Sequence, residues 1–277
     1  MTKYLYLFPL TLLFFSHLCG AANGKLLATP GVSQVEGSAG GGLVPWAQLA
    51  GYASEDEIAI NGFCSRASVS DYRLDVCGAQ LNWHDRIELS YAHQRFDVPA
   101  LELQIEQNIF AAKIRIYGDL VYSRWPQLSA GIQHKRLQDP LVANLLGARH
   151  EQGTDLYLSA SKLHLGAAFG YNWLWNLTGR YTQANQLGLL GFGAENKHAS
   201  LQFETSTAVL LNNHLAFGIE YRQKPDQLGI KEDDWQDIFI AWFPNKTVSF
   251  TLAWLDLGSI AGANNQTGWY LSVNGYL

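Results

Sequence analysis

Charge is scarce in this chain. Only 16% of its 277 residues are Asp, Glu, Lys or Arg, whereas about 25% is typical of a soluble globular domain. A basic excess is missing too, because 19 Lys and Arg against 24 Asp and Glu give a net charge of −5. An ordinary soluble enzyme carries more charge, and a nucleic-acid-binding protein shows a basic patch or stripe. The composition disfavours both classes, and we expect no nucleic-acid partner.

Proline, regular repeats and long apolar runs are also scarce. The chain has 8 Pro, and its 26 Gly follow no period, which excludes collagen-like and disordered chains. Because no heptad persists, a coiled coil is excluded as well. After the first twenty positions there is no run of about 20 apolar residues, so no transmembrane helix is expected in the mature chain.

The N-terminus has the features of a secretory signal peptide. Lys3 precedes a mostly apolar stretch over residues 5–18, and small residues follow at Ala21 and Ala22. This order of a charged start, an apolar middle and a small-residue exit is typical of such signals. We expect residues 1–22 to be cleaved and residues 23–277 to form a single domain.

Two cysteines remain after this cleavage, Cys64 and Cys77. An even number of cysteines in an exported chain suggests a disulfide. If Ser70–Asp71 is a two-residue hairpin turn, Cys64 faces Cys77 at a non-hydrogen-bonded pair, where side chains approach most closely. The register therefore predicts a cross-strand disulfide.

Period-two alternation dominates the chain after residue 43, which predicts β-strands. One face of each strand is apolar and often aromatic, as at Trp173, Phe217 and Leu252, and the other carries Asn, Thr, Ser, Gly and a few charges of both signs. A soluble sandwich would show a more charged outer face. A membrane barrel turns its apolar face to lipid and encloses a polar lumen. We expect an all-β fold, a transmembrane antiparallel up-and-down β-barrel.

Short and long connections mostly alternate, as they do in outer-membrane barrels. Residues 211–213 and 244–246 are short connections, whereas 183–197 and 223–233 are long. The proposed turn at Ser70–Asp71 is an exception, because its place in the series requires a long loop.

Thirteen strands can be counted from about residue 44 onward, and bacterial barrels need an even number. Residues 31–37, turning through 40–42, can supply one more, so we expect fourteen strands. Residues 23–43 could instead form a plug or a periplasmic tail, which gives twelve strands as the alternative. In the first hairpin, Leu81 and Trp83 fall on the polar face, and a bulge after Cys77 would correct this.

Several segments together resemble a known family. They are Gly31–Gly37, Asp71–Asp75, residues 183–193, Lys231–Trp235, Ala241–Lys246 and Asp256–Ile260. This combination is similar to the domain-of-unknown-function family numbered 3034, whose proteobacterial members are regarded as outer-membrane barrels. The resemblance extends over nearly the whole mature chain. It implies a barrel in the outer membrane, with no established activity and no catalytic residues.

Nothing in the sequence predicts covalent chemistry. The histidines are scattered, and neither a His–x–x–x–His spacing nor a Gly–x–Ser–x–Gly motif is present. A lipid hydrolase would need a His and a Ser together on the outer rim, but no Ser can be assigned beside His134. The apolar segment 188–193 is expected to be a flexible loop tip that folds into the mouth or touches lipid. We expect no enzyme, no cofactor and no metal.

Ionisable residues on the polar faces are the better functional candidates, because charge at membrane depth must face water or a partner and tunes passage. They could equally pair across strands and fill the barrel with a salt-bridge network. The lumen-lining candidates are Arg66, Arg73, Asp75, Glu88, Lys113, Arg115, Arg180, Glu204, Glu220 and Arg222.

Three functions are compatible with these features. The leading hypothesis is a channel for passive passage of small polar solutes of unknown identity. The second is a non-conducting structural or interaction barrel, closed by its side chains and by loops 137–151 and 183–197. The third is a lipid-acting outer-membrane enzyme. The expected partners are outer-membrane lipid, lipopolysaccharide and, during biogenesis, the barrel-assembly machinery.

Overall fold

A computed structural model describes residues 24–195 and 199–277. The expected signal peptide, residues 1–22, lies outside these described residues. Within them, twelve long antiparallel strands form one closed barrel, and two very short strands pair with each other inside it. The short pair is β1 (Val32–Ser33) and β2 (Ala39–Gly40); the barrel consists of β3 (Ile58–Val69), β4 (Arg73–Trp83), β5 (Ile87–Val98), β6 (Leu103–Tyr117), β7 (Gln127–Leu137), β8 (Gln152–Ala168), β9 (Tyr171–Thr182), β10 (Ser200–Asn212), β11 (Leu215–Arg222), β12 (Trp235–Trp242), β13 (Val248–Asp256) and β14 (Thr267–Tyr276).

Each barrel strand pairs with the next along the chain, and β14 closes the ring against β3. In that closing pair Leu271 lies opposite Arg66 and Tyr276 opposite Asn61. The amide of Ile60 also donates to the carbonyl oxygen of Leu277 at 3.2 Å. Closure removes the exposed strand edges that would otherwise pair with other chains. Among the described residues there is one α-helix, α1 (Leu141–Leu145). In the part of the chain described, no helix is both long and apolar enough to cross a membrane.

The expected count of fourteen strands is wrong, and the twelve-strand alternative is confirmed. The two segments assigned as extra strands, residues 31–37 and the stretch from residue 44, lie inside the barrel. Residues 24–53 form a plug, and all of its residues from 28 onward are buried. Positive φ angles at Gly31, Gly37 and Gly51 turn this chain too often for a long strand, because few residues other than glycine adopt them readily.

The connections separate the barrel into two ends. The short-turn end carries residues 84–86, 118–126, 169–170, 213–214 and 243–247, and the C-terminus lies there too. The long-loop end carries residues 99–102, 138–151, 183–195, 223–234 and 257–266. The turn at residues 70–72 is short but lies at the long-loop end. The sequence-based exception is therefore a real feature of the fold.

The two faces of the wall differ in polarity. Trp173, Phe217 and Leu252 are exposed on the outside, whereas Arg180 and Glu220 are buried inside. Because side chains alternate along a strand, this places the apolar rows of most strands outside and the polar rows in the lumen.

The first hairpin has the opposite orientation from the one predicted. Arg66, Arg73 and Asp75 were expected in the lumen but lie on the outer side of the wall, and Leu74 and Val76 point inward. β3 and β4 pair residue for residue from Ile58 opposite Trp83 to Ser68 opposite Arg73. Leu81 and Trp83 therefore face outward without the bulge that we expected after Cys77.

An apolar interior at the long-loop end explains this inversion. The inward side chains of the first strands, such as Leu74 and Phe96, belong to a buried apolar cluster with Val35 and Leu43 of the plug and with Leu189. Beside these strands the lumen is thus apolar at the long-loop end, so the apolar face of the hairpin turns inward. The charged face is left outside.

The predicted disulfide is confirmed. Cys64 on β3 and Cys77 on β4 are directly opposed in the ladder and are bonded to each other. Both belong to the outward rows of these strands. The bridge therefore joins neighbouring strands on the outside of the wall rather than tying down the plug.

Candidate functional site: the plugged lumen

The backbone of the plug is held by side chains of the wall. A buried backbone N–H or C=O needs a partner, and most of the plug lacks a strand ladder to provide one. Thr178 Oγ1 donates to the carbonyl oxygen of Pro45 at 2.8 Å, and Gln94 Nε2 donates to that of Val35 at 2.6 Å. The amide of Ala47 donates to Ser161 Oγ at 2.9 Å. Polar residues on the inner face thus replace regular secondary structure.

One buried ion pair contacts the plug backbone at several points. Lys113 Nζ lies 3.2 Å from Glu88 Oε2 and donates to the carbonyl oxygens of Trp46 and Gln48 at 3.2 and 2.7 Å. Glu88 Oε2 accepts from the amide of Ala50 at 2.8 Å. The pair satisfies its own charges while it binds donors and acceptors of the plug.

Glu36 is the centre of a second, larger ionic cluster. This plug residue is fully buried and forms ion pairs with cations from three different strands. Its carboxylate lies 2.8 Å from Arg222 Nη1 and 3.2 Å from Arg180 Nη2, and it also contacts Lys135 Nζ. The plug therefore binds to the wall through charge as well as through its backbone.

The wall alone does not balance the charge of this cluster. Lys135 Nζ lies 2.7 Å from Asp155 Oδ2, and Arg180 pairs with Glu204. The wall thus provides three cations and two carboxylates, and Glu36 is the third carboxylate that makes the cluster neutral. A buried charge without a partner costs several kcal/mol, so removing Glu36 would leave an excess positive charge in the lumen.

Two further acids face each other on neighbouring strands. Glu220 on β11 lies opposite Asp237 on β12, and both point into the lumen. Glu220 accepts from the amide of Leu43 at 2.7 Å and from Ser206 Oγ at 2.6 Å. Neither carboxylate oxygen of Asp237 has a hydrogen-bond partner among the described residues. The carboxyl group of Asp237 is therefore an unsatisfied buried polar group at the boundary between plug and wall.

The long-loop end is closed by residues 184–194, which fold into the mouth. Leu187 and Phe192 are buried, and Gln107 Nε2 donates to the carbonyl oxygen of Leu187 at 3.2 Å. Lys224, in the loop between β11 and β12, donates to Gln186 Oε1 at 2.6 Å and pairs with Glu232. Burial lowers the pKa of Lys224, and Glu232 acts in the opposite direction.

Six of the ten lumen candidates contact the plug or its ionic cluster: Glu88, Lys113, Arg180, Glu204, Glu220 and Arg222. Arg115 lies at the short-turn end, where it pairs with Asp85. Arg66, Arg73 and Asp75 lie outside the wall, as described above.

Sequence reasoning missed four ionisable residues of the lumen: Glu36, Lys135, Asp155 and Asp237. Lys135 and Asp155 lie in polar rows with Gln133 and Ser159, an alternation that a strand-by-strand reading of β7 and β8 could have found. For Glu36 the local sequence gives no such signal, because its partners are 99 to 186 residues away in the chain.

The family of the chain follows from a match over most of its length. The model of a family described as "Protein of unknown function (DUF3034)" matches residues 29–274. The chain belongs to the DUF3034 family. The matched range includes most of the plug as well as the barrel, so the two form one family unit. None of the curated proteins matches this DUF3034 chain.

Solved structures similar to this DUF3034 barrel are outer-membrane proteins. Omp33 of Acinetobacter baumannii aligns with a TM-score of 0.50 and 5% identity, covering 80% of this chain and 99% of that one. The KdgM porin gives 0.49 and 9%, covering 78% and 98%. The NanC porin gives 0.47 and 10%, covering 80% and 100%. At such low identity, the likeness to Omp33 shows the fold alone.

Neutralising Glu36 should loosen the plug of this DUF3034 barrel. In Glu36→Gln the cations of the cluster outnumber its acids, and we expect a loss of about 3 kcal/mol in plug stability. Hydrogen exchange followed by mass spectrometry should show faster exchange across residues 31–50. Asp56→Asn, which changes an exposed acid near the plug, is the matched control. Unchanged exchange in Glu36→Gln would show that charge does not hold the plug.

Replacing a buried acid by its amide should change the free energy of unfolding in opposite directions at Asp237 and Glu204. Asp237→Asn replaces one of two acids that face each other in the lumen by a neutral amide, so we expect it to raise the free energy of unfolding by about 1–3 kcal/mol. Glu204→Gln removes a partner of Arg180, so we expect a decrease of about 3 kcal/mol. Urea denaturation in detergent, followed by tryptophan fluorescence, measures both. Destabilisation by Asp237→Asn would contradict our view of this acid pair.

Proposed function

We propose that this chain is an outer-membrane barrel that forms a gated passage for small polar solutes, and that the plug holds the passage closed. The proposal has two parts, the location of the barrel and the ability of its lumen to open. Different surfaces of the molecule support each part.

The outer surface of the barrel suits hydrocarbon. Val248, Phe250, Leu252 and Trp254 form a continuous outward apolar row on β13. This row extends about 20 Å along the strand, which at the usual strand tilt of about 35–45° covers about 15 Å of the roughly 25 Å apolar band on outer-membrane barrels. Exposed apolar surface of this extent is unfavourable in water, which supports a membrane location.

An arginine-rich patch lies on the outer wall near the long-loop end. Arg66 Nε lies 2.5 Å from Asp75 Oδ1, Arg95 Nη2 lies 3.6 Å from Asp75 Oδ2, and Arg73 is adjacent on the same face. Arginine binds phosphate in a bidentate manner. We infer that the long-loop end faces outward from the cell and that the patch lies at the level of lipopolysaccharide phosphates.

Cell fractionation tests this location. The full chain, expressed in a Gram-negative host, should fractionate with the outer membrane and should migrate differently on gels before and after heating. Lipopolysaccharide bound to the purified barrel should fall in Arg73→Ala/Arg95→Ala and stay unchanged in Arg124→Ala, an exposed arginine at the opposite end. Recovery of the folded chain in the soluble fraction would refute the outer-membrane location. Equal amounts of bound lipopolysaccharide in both variants would refute the binding of lipopolysaccharide by the arginine-rich patch.

The gated passage is supported by one observation above all: the wall holds the plug through many buried hydrogen bonds and ion pairs. The cluster around Glu36 and the Lys113–Glu88 pair are examples. Groups of this kind can be hydrated when the plug leaves, at far lower cost than an apolar core. Replacing buried ion pairs by apolar residues is often neutral or stabilising, so a permanently filled barrel has no need of them.

The lumen is wide enough for small solutes. It encloses residues 28–53, a stretch of folded chain wider than most small metabolites. Barrels of eight strands have an interior that side chains nearly fill, whereas 16 to 18 strands leave an aqueous channel. A twelve-stranded barrel without its plug lies between these two cases.

A non-conducting barrel is the alternative, and the closed long-loop end favours it. Residues 184–194 are buried in the mouth, so two obstructions would have to move. A lipid-acting enzyme has weaker support. His134 Nδ1 lies 3.1 Å from Thr154 Oγ1 on the outer wall, but the hydroxyl belongs to a threonine rather than a serine.

Conductance in planar bilayers distinguishes these functions. We expect the mature chain to be mostly closed, and a variant lacking residues 24–53 to conduct continuously. Glu36→Gln, which keeps the chain complete, should open more often than the mature chain, because the plug is less firmly held. Asp56→Asn should behave like the mature chain.

Folding must be shown for each variant by its heat-dependent gel mobility. If the folded plug-deleted barrel stays closed, a second deletion that shortens loop 184–194 shows whether the mouth alone blocks it. A folded barrel without plug and loop tip that still fails to conduct would refute the gated passage and support the non-conducting barrel.

A further inference from the structure

A cavity at the short-turn end has the features of a binding site. It has a volume of about 230 Å³ and lies where the start of the plug meets the turns after β4 and β6. Drug-sized pockets range from about 300 to 1,000 Å³, so this one suits a smaller molecule. The residues that matter for its chemistry are Lys25 and Gln48 of the plug, and Asp85, Arg115 and Asp119 of the wall.

Gln48 is the unusual residue of this cavity. Its side chain is 3% exposed, and neither its amide nitrogen nor its amide oxygen has a hydrogen-bond partner among the described residues. The residue is fixed in place, because its carbonyl oxygen accepts from Lys113 Nζ at 2.7 Å. A buried carboxamide that lacks both bonds is unfavourable. A molecule that offers a donor and an acceptor side by side would supply both bonds.

Four of the five charged residues of the cavity are already paired with one another, and the fifth, Glu55, is an acid exposed to solvent. Lys25 Nζ lies 2.6 Å from Asp85 Oδ1, and Arg115 contacts both Asp85 and, at 3.3 Å, Asp119. Arg115 also donates to the carbonyl oxygen of Gly118 at 2.8 Å. Since each cation already has an acid beside it, the cavity has little to attract a charged ligand. The unsatisfied polar group of the cavity is the neutral carboxamide of Gln48.

We propose that this cavity binds a small neutral solute with an adjacent hydrogen-bond donor and acceptor, which pairs with the carboxamide of Gln48. Neighbouring hydroxyl groups of a sugar have this chemistry, and so does a primary amide. The occupant would contact the plug through Gln48 and the wall through the Arg115 region. The site reaches solvent from the short-turn end and does not require the plug to move, so it is independent of conduction.

Saturation-transfer NMR on the mature barrel, in a detergent without a sugar head group, tests the proposal. D-glucose represents sugars and acetamide represents primary amides, the two kinds of neutral ligand with the required donor and acceptor. Acetate and ethylammonium are charged probes. We expect saturable binding of at least one neutral probe and weaker binding of both charged ones. Gln48→Leu should weaken binding of the neutral probe at least tenfold.

Gln227 provides a matched control. It is also buried, its carboxamide likewise has no partner among the described residues, and it lies in the loop between β11 and β12 at the opposite end of the barrel. Gln227→Leu should leave binding unchanged, and both variants must keep the heat-dependent mobility of the folded barrel. The proposal is overturned if neither neutral probe binds, if Gln48→Leu binds as well as the parent chain, or if a charged probe binds best.

Discussion

The neutralisation of three lumen cations by the carboxylate of Glu36 is the interaction on which the interior depends. The wall places Lys135, Arg180 and Arg222 close together with only two acids of its own. Burying the excess charge without a partner would cost several kcal/mol. The plug supplies that partner, and the inward orientation of the polar rows, the position of the plug and the closed lumen are consistent with this requirement.

The lumen is divided into two regions of different chemistry. Toward the short-turn end, the plug is surrounded by polar side chains and ion pairs, and the cavity at Gln48 lies there. At the long-loop end, apolar residues such as Leu74, Phe96 and Leu189 pack against one another on the side of β3 to β5, whereas the ionic cluster around Glu36 lies among β7 to β11. Polar contacts can exchange with water at little cost, whereas separating an apolar cluster exposes it. The ionic and the apolar parts of the interior therefore present different barriers to opening.

Alternation predicted the barrel but not the orientation of every strand. On β9 to β14 the apolar face is much the more hydrophobic, and outward placement follows directly, as at Trp173 and Phe217. The first hairpin carries apolar residues on one face and charges on the other just as clearly, but the apolar face points inward. Alternation of apolar and polar residues along a strand shows that the strand has two different faces. Only the residues that pack against each face decide which face lies inside the barrel.

The sequence by itself determined the barrel class, the family and the pairing of Cys64 with Cys77, because strand alternation, family motifs and hairpin register are local features of the chain. Only the tertiary structure decided that residues 24–53 fill the lumen, that the barrel has twelve strands, and that Arg66, Arg73 and Asp75 lie outside. These outcomes depend on contacts such as that of Glu36 with Arg222, which are far apart in the chain. Charge balance and packing between distant segments leave no periodic pattern in the sequence.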